Sequence, residues 1–153
     1  MADAQNNATK SWPGEIPLKS EYTAGKAGQA FFTALKQGKL LASRCVECDQ
    51  TYFPMRLFCE RCFAELTSNI EIKPTGKLIS FTICHFDHDR KPLVQPVALG
   101  LVQLDGTTTV FLHRLLEARE AAQLQIGAPV ELILAPEDKR TGSILDIEGF
   151  RLT

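Results

Sequence analysis

The chain has 153 residues, 44% of them apolar and 23% charged, with a formal net charge of −1. This is a globular composition, with room for one ordinary domain or two small modules sharing a surface, and it excludes a disordered chain. A near-neutral charge argues against a protein that grips nucleic acid through phosphate contacts, which calls for a basic surplus.

Apolar stretches are strand-sized and broken by charges or prolines, so no transmembrane segment is expected. Met1 to Ser11 is polar and lacks the apolar core of a signal peptide, which makes the cytoplasm the expected location. Residues 1–19 read as a loosely ordered lead containing Trp12-Pro13-Gly14 and Ile16-Pro17. Trp12 is a candidate anchor, either onto the chain's own surface or onto a partner. Ala27, Ala30, Phe31, Ala34 and Leu35 recur at i, i+3 and i+4, which predicts a helix over 24–37. Gly38 is placed to end it as a left-handed C′ residue. Phe32 falls off this stripe and either broadens the buried face or meets another chain.

Residues 39–66 hold two cysteine pairs. Cys45-x₂-Cys48 is followed, after ten residues, by Cys59-x₂-Cys62. Each pair can form a knuckle, a tight turn that aims two thiolates at one point. The segment from Asp49 to Phe58 has the length for a short β-ribbon that returns the second knuckle to the first. Four thiolates at about 2.3 Å complete a tetrahedral Zn²⁺ and leave no open position, so the expected role is structural. The metal then replaces the core that so short a segment cannot build. Rubredoxin-like iron favours small residues after each pair, where this chain has Asp49 and Phe63.

From about residue 69 the pattern changes to strands. Ile79, Phe81 and Ile83 alternate with Ser80, Thr82 and Cys84, and Val97, Leu99 and Leu101 follow. Asp105-Gly106 is a hairpin signal, with Thr108 to His113 as the returning strand. Leu115 to Leu124 reads as a short helix. Val130, Leu132 and Leu134 alternate, and Ile144 to Leu152 completes the set. About five strands with a short helix before the fourth match an OB-fold barrel. The predicted fold is therefore mainly β with an N-terminal helix: an extension and helix over 1–38, a zinc ribbon over 39–68 and a five-stranded OB-fold barrel over 69–153. In the strand through Val97, Ala98, Gly100 and Val102 oppose the expected core set, so both faces are apolar or small. The second face has to be covered by the helix, the ribbon or a partner.

Among other polar residues, Asp87, His88 and Asp89 could suggest a second metal site, although a solvated loop is the plainer reading. Arg90 and Lys91 in the same loop, with His113 and Arg114 at the end of the third strand, are candidates to meet a phosphate-bearing ligand at the barrel rim. Cys84 beside His85 invites a nucleophile hypothesis, but neighbouring strand residues point to opposite faces. There is no phosphate loop, nucleophile elbow or convincing carboxylate pair, and no catalytic residue is assigned. A nucleic-acid role would use Phe53, Phe58, Phe63, Arg56 and Arg61. Phe58 and Phe63, however, are expected to pack around the knuckles.

Arg44-Cys45-x-x-Cys48, Tyr52-Phe53-Pro54, Cys59-x-x-Cys62 and Thr75-Gly76-Lys77-Leu78-Ile79-Ser80-Phe81-Thr82, behind an N-terminal helix, together resemble the DUF35 proteins. Pro96-Val97-Ala98-Leu99 and Ile126-Gly127-Ala128-Pro129-Val130 extend the resemblance, which covers roughly residues 24–152; Met55 stands where many members have a second proline. The resemblance implies a rubredoxin-like zinc ribbon joined to an acyl-CoA-associated OB-fold. It also implies an accessory subunit, not catalytic alone, that partners a thiolase-like large subunit and contributes to acyl-CoA binding. The candidate reaction is thiolytic cleavage of a 3-oxoacyl-CoA such as benzoylsuccinyl-CoA. The alternatives are a partner of a thiolase-like aldolase, a nucleic-acid-binding ribbon–OB protein, or an independent enzyme using Cys84 or the His88 loop.

Overall fold

A computed structural model of the protein describes residues 23–153; Trp12 and the predicted lead lie outside the described residues. The one α-helix among them, α1 (Gly25–Lys36), buries Ala27, Phe31, Ala34 and Leu35. These are residues of the stripe that predicted it. It ends as expected: Gly38 has φ +79°. The N–H of Gly38 donates to Leu35 O and that of Lys39 to Ala34 O, each at 2.9 Å, which is the Schellman arrangement. Phe32 packs edge-on to Phe31 at 5.5 Å and broadens the buried face.

Two antiparallel sheets follow. The first has the order β2-β1-β3, from β1 (Leu40–Arg44), β2 (Thr51–Tyr52) and β3 (Ser68–Ile72). The second comprises β4 (Thr75–Phe86), β5 (Pro92–Leu104), β6 (Phe111–Arg114), β7 (Pro129–Leu134) and β8 (Ile147–Leu152), ordered β6-β5-β4-β7-β8. Leu115 forms a parallel bridge to Phe150, and the N–H of Leu116 donates to Phe150 O at 2.7 Å. That contact joins the outer strands and closes the five-stranded sheet into the barrel expected of an OB-fold.

The barrel interior corrects the sequence reading of β5. Ala98, Gly100, Val102 and Leu104 face inward and are buried, whereas Leu99 and Leu101 lie on the outer face. The reason is space. A Cβ on Gly100 would come within 2.8 Å of Leu115 Cδ2 and 2.9 Å of Leu78 Cδ1, so the crowded centre takes the small residues. On β4 the alternation slips at a β-bulge between Leu78 and Ser80. Leu78 is fully buried and Ile79 is exposed, and beyond the bulge Phe81 and Ile83 point inward, opposite Gly100 and Ala98. One extra residue shifts the phase of everything after it.

Two other expectations fail. Residues 115–124 hold only a 3₁₀ turn at Ala121–Gln123, closed by a reciprocal cap between Glu120 and Gln123. Leu115 is instead committed to its bridge with Phe150. The returning strand begins only at Phe111, because Thr108 bonds to Thr51 in the first sheet and Thr109 to Phe53 just after β2. Ribbon and barrel also share one core, in which Phe53 packs edge-on against both Phe31 (5.5 Å) and Phe111 (5.3 Å).

Asp146 anchors the loop beneath α1. Its buried carboxylate accepts N–H bonds from Thr141 (3.0 Å), Gly142 (2.7 Å) and Ser143 (3.3 Å). Burial by itself raises the Asp146 pKa, but these donors outweigh it and hold the carboxyl below its ordinary range. A depressed folded pKa contributes stability that is fully present above the unfolded value of about 3.9 and is lost as pH falls through the folded value.

Two predictions follow from the packing. Gly100→Val should lower stability by about 1–3 kcal/mol through overpacking, read as a lowered midpoint of thermal unfolding; an unchanged midpoint would contradict the crowded centre. Asp146→Asn should be less stable than the wild type at neutral pH, and the gap should narrow below about pH 4. Urea unfolding at several pH values reads this directly, and a gap that does not change with pH refutes the assignment.

Candidate metal centre and outer barrel face

Local backbone geometry builds the two knuckles alike. In the first, the N–H of Cys45 donates to Gln50 O (2.7 Å) and that of Asp49 to Cys45 O (3.0 Å). In the second, the N–H of Cys59 donates to Ala64 O and that of Phe63 to Cys59 O, both at 2.9 Å. The residue after each pair takes a positive φ: 59° at Asp49 and 61° at Phe63. Arg44 steadies the first by donating to Asp49 Oδ1 from Nε (2.8 Å) and Nη2 (2.5 Å). At Phe63 the left-handed turn throws the ring outward, where it is 80% exposed, and Phe58 is 60% exposed. Neither aromatic packs around the knuckles, contrary to expectation.

The knuckles bring Cys45, Cys48, Cys59 and Cys62 together, with all four sulfur atoms within 4.8 Å of one another. Cys45–Cys62 and Cys48–Cys59 are each 3.5 Å apart. Four sulfurs at about 2.3 Å from one ion span similar distances in a tetrahedron. The donor set, all sulfur and closed, fits Zn²⁺ and leaves no position for a reacting ligand. Cys45 and Cys59 are buried with Tyr52 and Leu66 in a small cluster of their own, while Cys62 faces solvent.

The thiols do not ionise independently. Burial opposes ionisation of Cys59, but the Tyr52 hydroxyl and the backbone of Cys62 and Arg61 outweigh it and bring the group down to about 6. Burial, with Cys59 next to it, pushes Cys48 up to about 12. A bound dication reverses the penalty for the second and later thiolates.

The four residues expected at the ligand rim do not converge. Arg90 (φ 63°) and Lys91 sit exposed at the tip of the β4–β5 hairpin. His113 and Arg114 lie on β6, where Arg114 pairs with Leu99. Leu99 and Pro92 are seven β5 residues apart, or roughly 23 Å of extended strand. Asp87 is committed to its own turn: its Oδ1 accepts the N–H groups of Asp89 (2.9 Å) and Lys91 (2.8 Å). Cys84 is half-buried and His85 exposed.

His113 and Arg114 instead border a groove of about 640 Å³ over the seam between β6 and β8, with Leu99, Leu112, Leu116 and Leu145. His113 stacks on Phe111 at 5.8 Å, and its buried Nδ1 has no hydrogen-bond partner among the described residues. Burial, then Arg114, lowers its pKa. Leu99 and Leu112 continue this surface onto Leu101 and Thr82. The outer face of β5 and β6 is thus apolar, and among the described residues α1 packs on β1 and on the 3₁₀ turn Ile144–Asp146 and does not cover it.

Residues 32–67 match the rubredoxin-like zinc ribbon domain of ChsH2, and residues 69–134 match the C-terminal OB-fold domain of ChsH2. A DUF35 protein of unknown function from Sulfolobus solfataricus has 27% identity and a TM-score of 0.62, covering 84% of each chain. The chain belongs to the DUF35 family. A second similar structure, described as an Ltp2-ChsH2(DUF35) aldolase, shares the fold at 23% identity and TM-score 0.62, over 86% of this chain and 98% of the other. No curated protein matches this DUF35 chain. Among its described residues no helix is long and apolar enough to cross a membrane.

Sequence reading missed three participants: Tyr52 as a partner of Cys59, the Thr108–Thr109 contact with β2, and Asp146. Only Tyr52 carried a signal, as a phenol between two cysteine pairs.

The knuckle geometry yields one prediction. At φ 61° a side chain costs about 1–2 kcal/mol that glycine avoids. Phe63→Gly should therefore leave the zinc-loaded chain about 1 kcal/mol more stable than Phe63→Ala. Equal unfolding midpoints for the two variants would contradict the left-handed turn.

Proposed function

We propose that this DUF35 chain is a non-catalytic accessory subunit of a thiolase-type acyl-CoA enzyme. Its zinc, held by Cys45, Cys48, Cys59 and Cys62, stabilises the scaffold and performs no chemistry. The observation that carries the reading is the apolar outer face of the barrel, which the other described residues leave uncovered: Leu99, Leu101 and Leu112, with Leu116 and Leu145 across the seam. Leu112 is 57% and Leu145 81% exposed. A contiguous exposed apolar patch on a small protein marks an interaction site. The ChsH2-type domain pair and a structural relative described as an Ltp2-ChsH2 aldolase support a thiolase-like large subunit as the occupant.

Within such a complex the acyl-CoA lies at the junction of the subunits. Arg114 and His113 border the seam groove and are the nearer candidates for contact with the coenzyme. Arg90 and Lys91, at the far hairpin tip, would reach it only if the large subunit brings the ligand along the arm. Aldol cleavage and thiolysis both run on a thiolase-like partner, with benzoylsuccinyl-CoA as one candidate for the second. The large subunit supplies the reacting groups in either case, a nucleophile for thiolysis and a base for aldol cleavage, and the complex is assigned to the cytoplasm. A nucleic-acid role is weaker: Phe53 is buried in the core, and Arg56 pairs with Glu60 and lies over the Tyr52 ring.

Co-expression with a thiolase-like protein of the same organism tests the reading. The two should elute as one complex. Leu101→Asp with Leu112→Asp should weaken it at least tenfold, about 1.4 kcal/mol, while the free chain keeps its unfolding midpoint. A chain that stays alone beside every such partner, or a complex indifferent to both substitutions, refutes it.

A further inference from the structure

The contacts of Tyr52 run in two directions. Its buried hydroxyl lies 3.1 Å from Cys59 Sγ. A metal-bound cysteine is a thiolate and can only accept, so the hydroxyl donates. The residues on either side of Tyr52 face the barrel. The N–H of Thr51 donates to Thr108 Oγ1 (3.0 Å), and Thr51 O accepts from the N–H (2.9 Å) and hydroxyl (3.0 Å) of Thr108. The N–H of Phe53 donates to Thr109 Oγ1 (3.0 Å), whose own hydroxyl donates to Phe53 O (3.2 Å). The barrel side is itself fixed, because the buried hydroxyl of Thr107 donates to Leu104 O at 2.8 Å. Three consecutive residues therefore hold the cysteine cluster with a side chain and the barrel with their backbone.

We propose that Tyr52 is a positioning residue that joins the metal centre to the barrel. Its hydroxyl fixes the Cys59 thiolate, and the bound metal in turn fixes the Thr51–Phe53 stretch on Thr108 and Thr109. Donors to metal ligands typically contribute 10- to 100-fold in metal affinity. Here the same donor also sets how the ribbon sits on the barrel. The proposal rests on the zinc reading of the four cysteines and is independent of the partner.

The experiment uses the full zinc-loaded chain, Tyr52→Phe, the double variant Thr108→Ala/Thr109→Ala, and the triple combination. Zinc release to excess chelator is followed alongside the sulfur-to-metal charge-transfer band of the cobalt-substituted protein and amide exchange at Thr51 and Phe53. Tyr52→Phe should release zinc at least tenfold faster, move the band to longer wavelength and speed exchange at both amides. The threonine variant leaves the ribbon's own core intact and gives the same test from the barrel side; it should also speed release. In the triple variant the two effects should not multiply, because they act through one connection. Zinc release and a cobalt band that ignore Tyr52→Phe overturn the proposal. So does a triple variant in which the effects multiply, since the two contacts would then be independent. A wild-type chain that takes up no zinc overturns this proposal together with the reading beneath it.

Discussion

Everything in the ribbon depends on four sulfur atoms held within 4.8 Å of one another. Four thiolates that close repel one another, and four neutral thiols make only weak contacts. A dication turns the same crowding into the main cohesive force of the segment. The ribbon's own buried cluster shows why this is needed: beyond the cysteines it contains Tyr52, Leu66 and part of Ala64. That is too little apolar surface to order two knuckles against the entropy of the chain.

The ribbon does not stand alone once it is ordered. Leu40, Ala42, Phe53 and Met55 belong to the same buried cluster as α1 and the barrel interior. Phe53 sits between a helix ring and a barrel ring, and its backbone and that of Thr51 bond to the loop that leads into β6. The metal thus organises a plate that α1 and the barrel both lean on. The outer face of β5 and β6 lies away from this plate, which suits a scaffold that presents a surface to a larger protein.

What was legible in the sequence was local. The helix and its Gly38 cap follow from side-chain spacing and one permissive φ, and the knuckles follow from two Cys-x₂-Cys pairs. What was not legible depended on distant partners. The inward face of β5 could not be read because both faces are apolar; the choice rests on how closely Leu78 and Leu115 crowd Gly100. The bulge at Ile79 broke an alternation that looked regular. Residues 115–124 carry helix-forming side chains, yet Leu115 is taken by Phe150. Thr108 and Thr109 looked like strand residues because their hydroxyl partners lie far back in the ribbon. In the site, the sulfur ligands were plain and the ligand rim was not: Arg90 and Lys91 are close to His113 only on paper, since the long hairpin carries them outward.

In the proposed function the metal holds a scaffold and takes no part in chemistry. Zinc X-ray absorption on the chain with its proposed large subunit, before and after adding an acyl-CoA, tests it most directly. Four sulfur neighbours at about 2.3 Å, unchanged by substrate, are the predicted result. An oxygen or nitrogen neighbour in either state, or a sulfur lost on substrate binding, would contradict it.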